Sequence, residues 1–286
     1  SEPGPFDIIR AEELLRGYDA RWSSAMANLM VLSVEVEFRC PLVNPASGRP
    51  SQTFELAGKI DAIVRDPDGR VWIVEHKTTT QDVRPGAEYW QRLRIDGQVS
   101  TYFVGAASLG HDVVGCLYDV AKRPLLRPLL AAPEAERKLT KGKPCKICVG
   151  DTFRVTGAEC QTCSGTGWAE APRPYAGQRT EDETIDEYRD RLRANIAENP
   201  ETYYQRGDVV RLEAEVAEHQ QDLWQTAKHL LDVQISGAHP RNPDACVRYG
   251  RTCEYFDCCV GAASIDDPGR FRDAARANEE LTARGC

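Results

Sequence analysis

The stretch Gly58–Thr79, GKIDAIVRDPDGRVWIVEHKTT, decides how the rest of the chain is read. At its centre, Asp66-Pro67-Asp68-Gly69 suits a type I turn at Pro67 and Asp68, followed by Gly69 as a left-handed bulge residue. Such a loop pairs Asp66 with Arg70. Counting back along antiparallel strands puts Asp61 opposite Glu75 and Lys59 opposite Lys77, with Cβ atoms about 5 Å apart. Side chains alternate along a strand, so Glu75 and Lys77 share a face. His76 points away and offers at most its backbone carbonyl. A two-residue loop would instead put Asp61 on the other face.

Directly opposed carboxylates repel unless a cation lies between them. Mg²⁺ or Mn²⁺ suits an all-oxygen site that keeps several waters, lowers the pKa of bound water and offsets charge on a phosphoryl oxygen. Lys77, a compact cation, is placed to orient that water or to stabilise a phosphorane-like transition state. The competing reading of a D…ExK pattern is a surface hairpin with incidental charges, and three features weigh against it. Val71-Trp72-Ile73-Val74 is the apolar run of a strand buried on both faces, and the charges begin where it stops. Tyr89–Leu109 reads as a helix with Gln98 and Tyr102 four apart on one face. The third feature is the cysteine arrangement near the C-terminus.

GKID, VEHKTT and QVSTY resemble consecutive motifs of the RecB-like branch of the PD-(D/E)XK nuclease superfamily, particularly its phage-encoded and CRISPR-associated exonucleases. The resemblance covers residues 30–124 and 240–259. It implies an α/β, restriction-endonuclease-like core with a mixed sheet flanked by helices. Asp61, Glu75 and Lys77 match the catalytic positions, and Gln98 and Tyr102 match a QxxxY motif that contacts DNA and supports the site. The implied activity is metal-dependent exonucleolysis of DNA, single-stranded or at duplex ends, in recombination, repair or processing, with a helicase or recombination protein as partner. All five histidines follow Asp61, so the family's upstream metal-binding His has no match. That gap favours the alternative reading, a nuclease-fold subunit that binds or assembles on DNA without cutting it.

Eleven cysteines without a secretory signal point to metal ligation more than to disulfides. Cys145-x2-Cys148 and Cys160-x2-Cys163 form two knuckles suited to tetrahedral zinc, and Cys160–Gly167 is similar to the CxxCxGxG knuckle of DnaJ-type zinc modules. Near the C-terminus, Cys253-x5-Cys259 matches the final spacing of the family's iron-sulfur nucleases, with Cys246 as a further ligand. This resemblance implies a four-iron cluster. Its fourth ligand is open between Cys40, Cys258 and a residue before Ser1, and zinc is the other occupant. Cys116 reads as a core thiol.

Lys and Arg number 36 against 44 Asp and Glu, a net charge of -8, which argues against a protein that coats nucleic acid through a broad basic surface. A nuclease needs a local groove only. No apolar run approaches the roughly 18 to 20 residues of a membrane span, and no signal-peptide pattern opens the chain, so a cytoplasmic enzyme is expected. The opening at Ser1 instead of Met is what a processed chain or a fragment would show.

Three segments are expected: residues 1–124 as nuclease core, 125–180 as zinc-binding insertion, and 181–286 as a helical region whose cysteines pack back on the core. Helices are predicted at Arg10–Leu29, Glu181–Asn199 and Val209–Ile235, and strands at Val31–Phe38, Phe54–Val64, Arg70–Lys77 and Val113–Val120. The run Glu181-Asp182-Glu183 is expected to open a helix after Thr180. Arg206, Arg211 and Lys138–Lys143 read as solvated charge or a DNA path. His111, His219, His229 and His239 read as ordinary surface or packing residues.

Overall fold

The computed structural model describes residues 3–148, 160–175, 178–248 and 251–272. In chain order they form α1 (Pro5–Met26), β1 (Met30–Val43), β2 (Pro50–Arg65), β3 (Val71–Thr79), α2 (Glu88–Gln91), α3 (Gly97–Ser108) and β4 (Val113–Lys122). Then come β5 (Lys143–Pro144), β6 (Trp168–Glu170), α4 (Ile185–Glu198), α5 (Pro200–Tyr203), β7 (Tyr204–Val209), α6 (Glu213–Ser236), β8 (Val247–Arg248), β9 (Arg251–Thr252) and α7 (Phe256–Cys259). The main sheet has the order β1-β2-β3-β4-β7. It is antiparallel from β1 to β3 and again from β4 to β7. Between β3 and β4 the chain crosses over through α3, the kind of connection that adjacent parallel strands require. This is the mixed α/β sheet expected from the sequence.

Contacts divide the chain into two compact units, residues 1–22 with 122–203 and residues 23–121 with 204–286. Composition marks the change of texture near 124. It does not show that the start of α1 belongs with the later segment. There Glu13, buried, accepts from Arg193 Nε and Nη2 at 2.9 and 2.8 Å, and Arg10 Nε donates to the Tyr188 hydroxyl at 2.9 Å. Paired this way with an exposed arginine 180 residues away, the acid tolerates a burial that it would not tolerate alone. The arginine holds the Glu13 carboxyl below its ordinary pKa.

In the sheet unit, Ile60, Ile63, Ile73, Val99, Phe103 and Ala106 are core, so α3 covers one face of the central strands. Phe38 on β1 lies directly across from Gly58 on β2, and its ring also meets Gly105 on α3. A Cβ at Gly58 or Gly105 would come within 2.6 or 2.5 Å of that ring. Neither glycine is needed for its dihedral angles; both are needed for the space.

Several elements differ from the sequence reading. The helix expected over Tyr89–Leu109 is α2, a 3-10 turn at Arg92–Ile95 and α3, because Asp96 accepts from Val99 N–H at 3.0 Å and caps a new helix. The acidic run does not open α4. Thr184 and Glu187 form a capping box there, while Glu183 is buried and takes Arg191 and the Leu129 N–H. Val209, expected to open a helix, instead ends a strand, β7, and α6 begins four residues later.

Candidate active site

The turn comes first. Asp66 N–H donates to Arg70 C=O at 2.9 Å, Gly69 N–H to Asp66 C=O at 3.0 Å, and Gly69 has φ +84°. The β2–β3 ladder then runs from Arg65 opposite Val71 to Ala62 opposite Val74. Its next residues are Asp61 and Glu75. At that point Asp61 Oδ2 accepts the His76 N–H at 2.9 Å, so a carboxylate takes a bond the ladder would otherwise make. Ile73 and Val74 are both buried, as expected of a strand enclosed on two faces.

Glu75 is 1% exposed and its Oε1 pairs with Lys77 Nζ, while Oε2 has no hydrogen-bond partner among the described residues. A buried carboxylate oxygen without a partner costs a folded chain free energy, a cost that a bound cation would offset. Burial raises the Glu75 pKa, Lys77 opposes that shift, and the charge of Asp61 adds to it. On α3, Gln98 Nε2 donates to the Tyr102 hydroxyl at 2.6 Å. The phenol is buried beside Glu75, and burial with that negative charge raises its pKa, so it stays protonated and helps to hold charge on Glu75. Asp61, Glu75, Lys77, Gln98 and Tyr102 are therefore brought together, and the His76 ring, though exposed, does not point clear of them: its Nδ1 lies 3.9 Å from Asp61 Oδ2.

Two arginines read as solvated or DNA-facing are internal. Arg206 pairs with buried Asp119 across β7 and β4. Arg211 is buried and donates to Leu93 C=O at 2.6 Å, Asp96 C=O at 3.2 Å and Ser100 Oγ at 2.8 Å. It thus clamps the start of α3, the helix that carries Gln98 and Tyr102. His219 on α6 adds a second link, its Nε2 lying 2.9 Å from Thr101 Oγ1. The sequence signal was weak, since a lone Arg before a helix has many roles.

Burial of the Glu75 carboxyl makes the stability of the fold depend on pH. An acid whose folded pKa is raised leaves stability intact below its unfolded pKa and removes it as pH climbs through the folded value. Without added divalent ions, Glu75→Gln should therefore raise the thermal midpoint at pH 8 by about 2 to 4 °C, with little change at pH 4. A gain equal at both pH values would disprove burial of an ionised Glu75.

The four cysteines of the insertion converge, their sulfurs all within 4.8 Å of one another. Cys145 and Cys160 are 3.9 Å apart and Cys148 and Cys163 are 3.8 Å apart, against about 3.8 Å for the edge of a zinc tetrahedron with 2.3 Å bonds. Backbone N–H groups favour the thiolates. The Cys163 N–H lowers the Cys160 pKa to about 7, and the Cys148 N–H lowers that of Cys145. This set fits a metal ion. Cys246, Cys253 and Cys259 are arranged differently, on a short hairpin and a helical turn, with the Cys253 N–H donating to Cys246 C=O at 2.8 Å. Among the described residues they form no comparable mononuclear set. No helix among the described residues is long and apolar enough to cross a membrane.

No curated protein matches the chain. The family model of the PD-(D/E)XK nuclease superfamily matches residues 8–260, which take in the β2–β3 hairpin, α3 and both cysteine groups. By that match, over most of its length, the chain belongs to the PD-(D/E)XK nuclease superfamily.

Proposed function

We propose that the chain is a divalent-metal-dependent exonuclease of the RecB-like branch that hydrolyses phosphodiester bonds in DNA. The observation that carries this reading is the buried Glu75 with one unpartnered oxygen, set beside Asp61 and Lys77. Asp61, Glu75 and the His76 carbonyl would hold Mg²⁺ or Mn²⁺, an all-oxygen donor set suited to either ion. The bound ion supplies Lewis-acid polarisation of the phosphoryl group and a more acidic attacking water.

Asp61 supplies a carboxylate, about one-third exposed, whose position is fixed by the His76 N–H. Lys77, about one-third exposed, reaches solvent while touching Glu75, so it can turn its charge toward a phosphate as negative charge builds there. Gln98 fixes the Tyr102 hydroxyl, and Tyr102 in turn supports Glu75. In this reading Cys145, Cys148, Cys160 and Cys163 hold structural zinc, and Cys246, Cys253 and Cys259 contribute to an iron-sulfur cluster. The enzyme works in the cytoplasm on DNA ends or single strands, alongside a helicase or recombination partner.

End-labelled single- and double-stranded DNA, incubated with and without Mn²⁺, tests the proposal. Stepwise shortening from an end that requires the metal is expected. Cleavage that persists in chelator would defeat it, and binding with no cleavage would favour a DNA-binding subunit.

A further inference from the structure

The segment around the four cysteines contains a two-stranded ribbon with lysines on one strand and exposed aromatic rings on the other. Its pairing runs from Lys143 opposite Glu170 and Pro144 opposite Trp168, through Thr140 N–H to Arg173 C=O at 2.8 Å, to Leu139 bridged with Pro174 and Tyr175 N–H to Lys138 C=O at 3.1 Å. The Trp168 ring lies against Gly142, where a Cβ would meet it at 2.7 Å, so the indole rests on backbone between Lys141 and Lys143. Trp168 is nonetheless 40% exposed and Tyr175 is 51% exposed. Lys143 is neutralised by Glu170 at 2.8 Å. Lys138, Lys141 and Lys146 are exposed and form no ion pair among the described residues, although Glu134 and Glu136 precede them in the chain. In a chain of net charge -8, this is a concentration of lysines unpaired among the described residues, on the same ribbon as two partly exposed rings.

We propose that this ribbon binds an unpaired nucleic-acid strand, with bases stacking on Trp168 and Tyr175 and phosphates meeting Lys138, Lys141 and Lys146. Stacking requires a free base face, which a duplex hides, and cationic side chains bind phosphate whatever the sequence. The indole is held from behind by Gly142, so it meets a base without first being ordered. The inference rests on the nuclease reading only for the origin of the strand, and binding can be measured without cleavage.

The test uses the full chain with its zinc, without added Mg²⁺ or Mn²⁺, and fluorescein-labelled 20-mers of oligothymidine, oligouridine and a mixed-sequence duplex. The single strands should bind more tightly than the duplex, and comparing the first two shows whether DNA or RNA is preferred. Trp168→Ala should weaken single-strand binding about ten-fold while Trp168→Phe retains most of it. Lys138→Glu, Lys141→Glu and Lys146→Glu together should reduce the slope of log K against log salt by about two. Unchanged zinc content shows that the variants are folded. Wild-type affinity and salt slope in the alanine and lysine variants, or tighter binding of duplex that ignores Trp168, would overturn the inference. Dependence on Trp168 without Mn²⁺-stimulated cleavage would remove the nuclease reading and leave this one standing; cleavage with binding indifferent to the variants would do the reverse.

Discussion

Replacing Asp61 with alanine is expected to cut metal-dependent DNA hydrolysis by about 10³-fold or more, equivalent to about 4 kcal/mol of transition-state stabilisation. The change removes one of two carboxylates at the end of the β2–β3 ladder and also frees the His76 N–H that Asp61 accepts. Asp61→Asn separates these effects, because an amide oxygen can still accept that bond while the charge is gone. It should be as inactive as the alanine variant and melt like the wild type. Lys77→Ala leaves both carboxylates in place and should lower kcat by about 10² to 10³-fold with less change in metal requirement. Rate measurements across a Mn²⁺ titration distinguish the two. Equal rates in wild type and variants would place the activity elsewhere.

The second large effect concerns the four-cysteine module. Cys145, Cys148 and Cys163 are themselves its buried cluster, with Cys160 packed against them, and no other hydrophobic side chain joins that group among the described residues. A segment whose core is its own ligand set depends on the ion for order, and structural zinc supplies apparent binding energies of about 10 to 16 kcal/mol in small modules. Changing Cys148 and Cys163 together to serine should abolish bound zinc and open the ribbon and knuckles at residues 138–148 and 160–175 to protease. Metal analysis of anaerobically purified protein checks this. It also reports whether iron and acid-labile sulfide are present and disappear on replacing Cys253. Stoichiometric zinc in the double-serine variant would show that the ion sits elsewhere.

Local chemistry made the centre of the site legible. The Asp66–Gly69 turn sets the register, and the register carries Asp61 to Glu75 with no information from the rest of the chain. The same local logic brought the four knuckle sulfurs together. What escaped depends on partners far away in sequence. No strand was expected over Tyr204–Val209, a polar stretch that pairs with β4, where Arg206 meets Asp119, 87 residues earlier. Arg211 became internal by donating to the carbonyls of Leu93 and Asp96, which lie together only where the chain turns into α3. The break before α3 was visible as Asp96-Gly97, a capping residue followed by a helix-weakening one, but the apolar periodicity on either side outweighed it.

Phe38 sets how near α3 can come to the sheet, since one ring fills the gap between the two glycine surfaces at Gly58 and Gly105. The three positions therefore behave as a single gauge, and drift at one is tolerated only when another moves with it. Gly105→Ala alone should push the helix outward and carry Gln98 and Tyr102 away from Glu75, whereas the same change made with Phe38→Leu shortens the spacer as it thickens the helix. Such a pair would restore reach to the carboxylate from a distance, which makes the interior of this fold a record of how its helix was fitted to its strands.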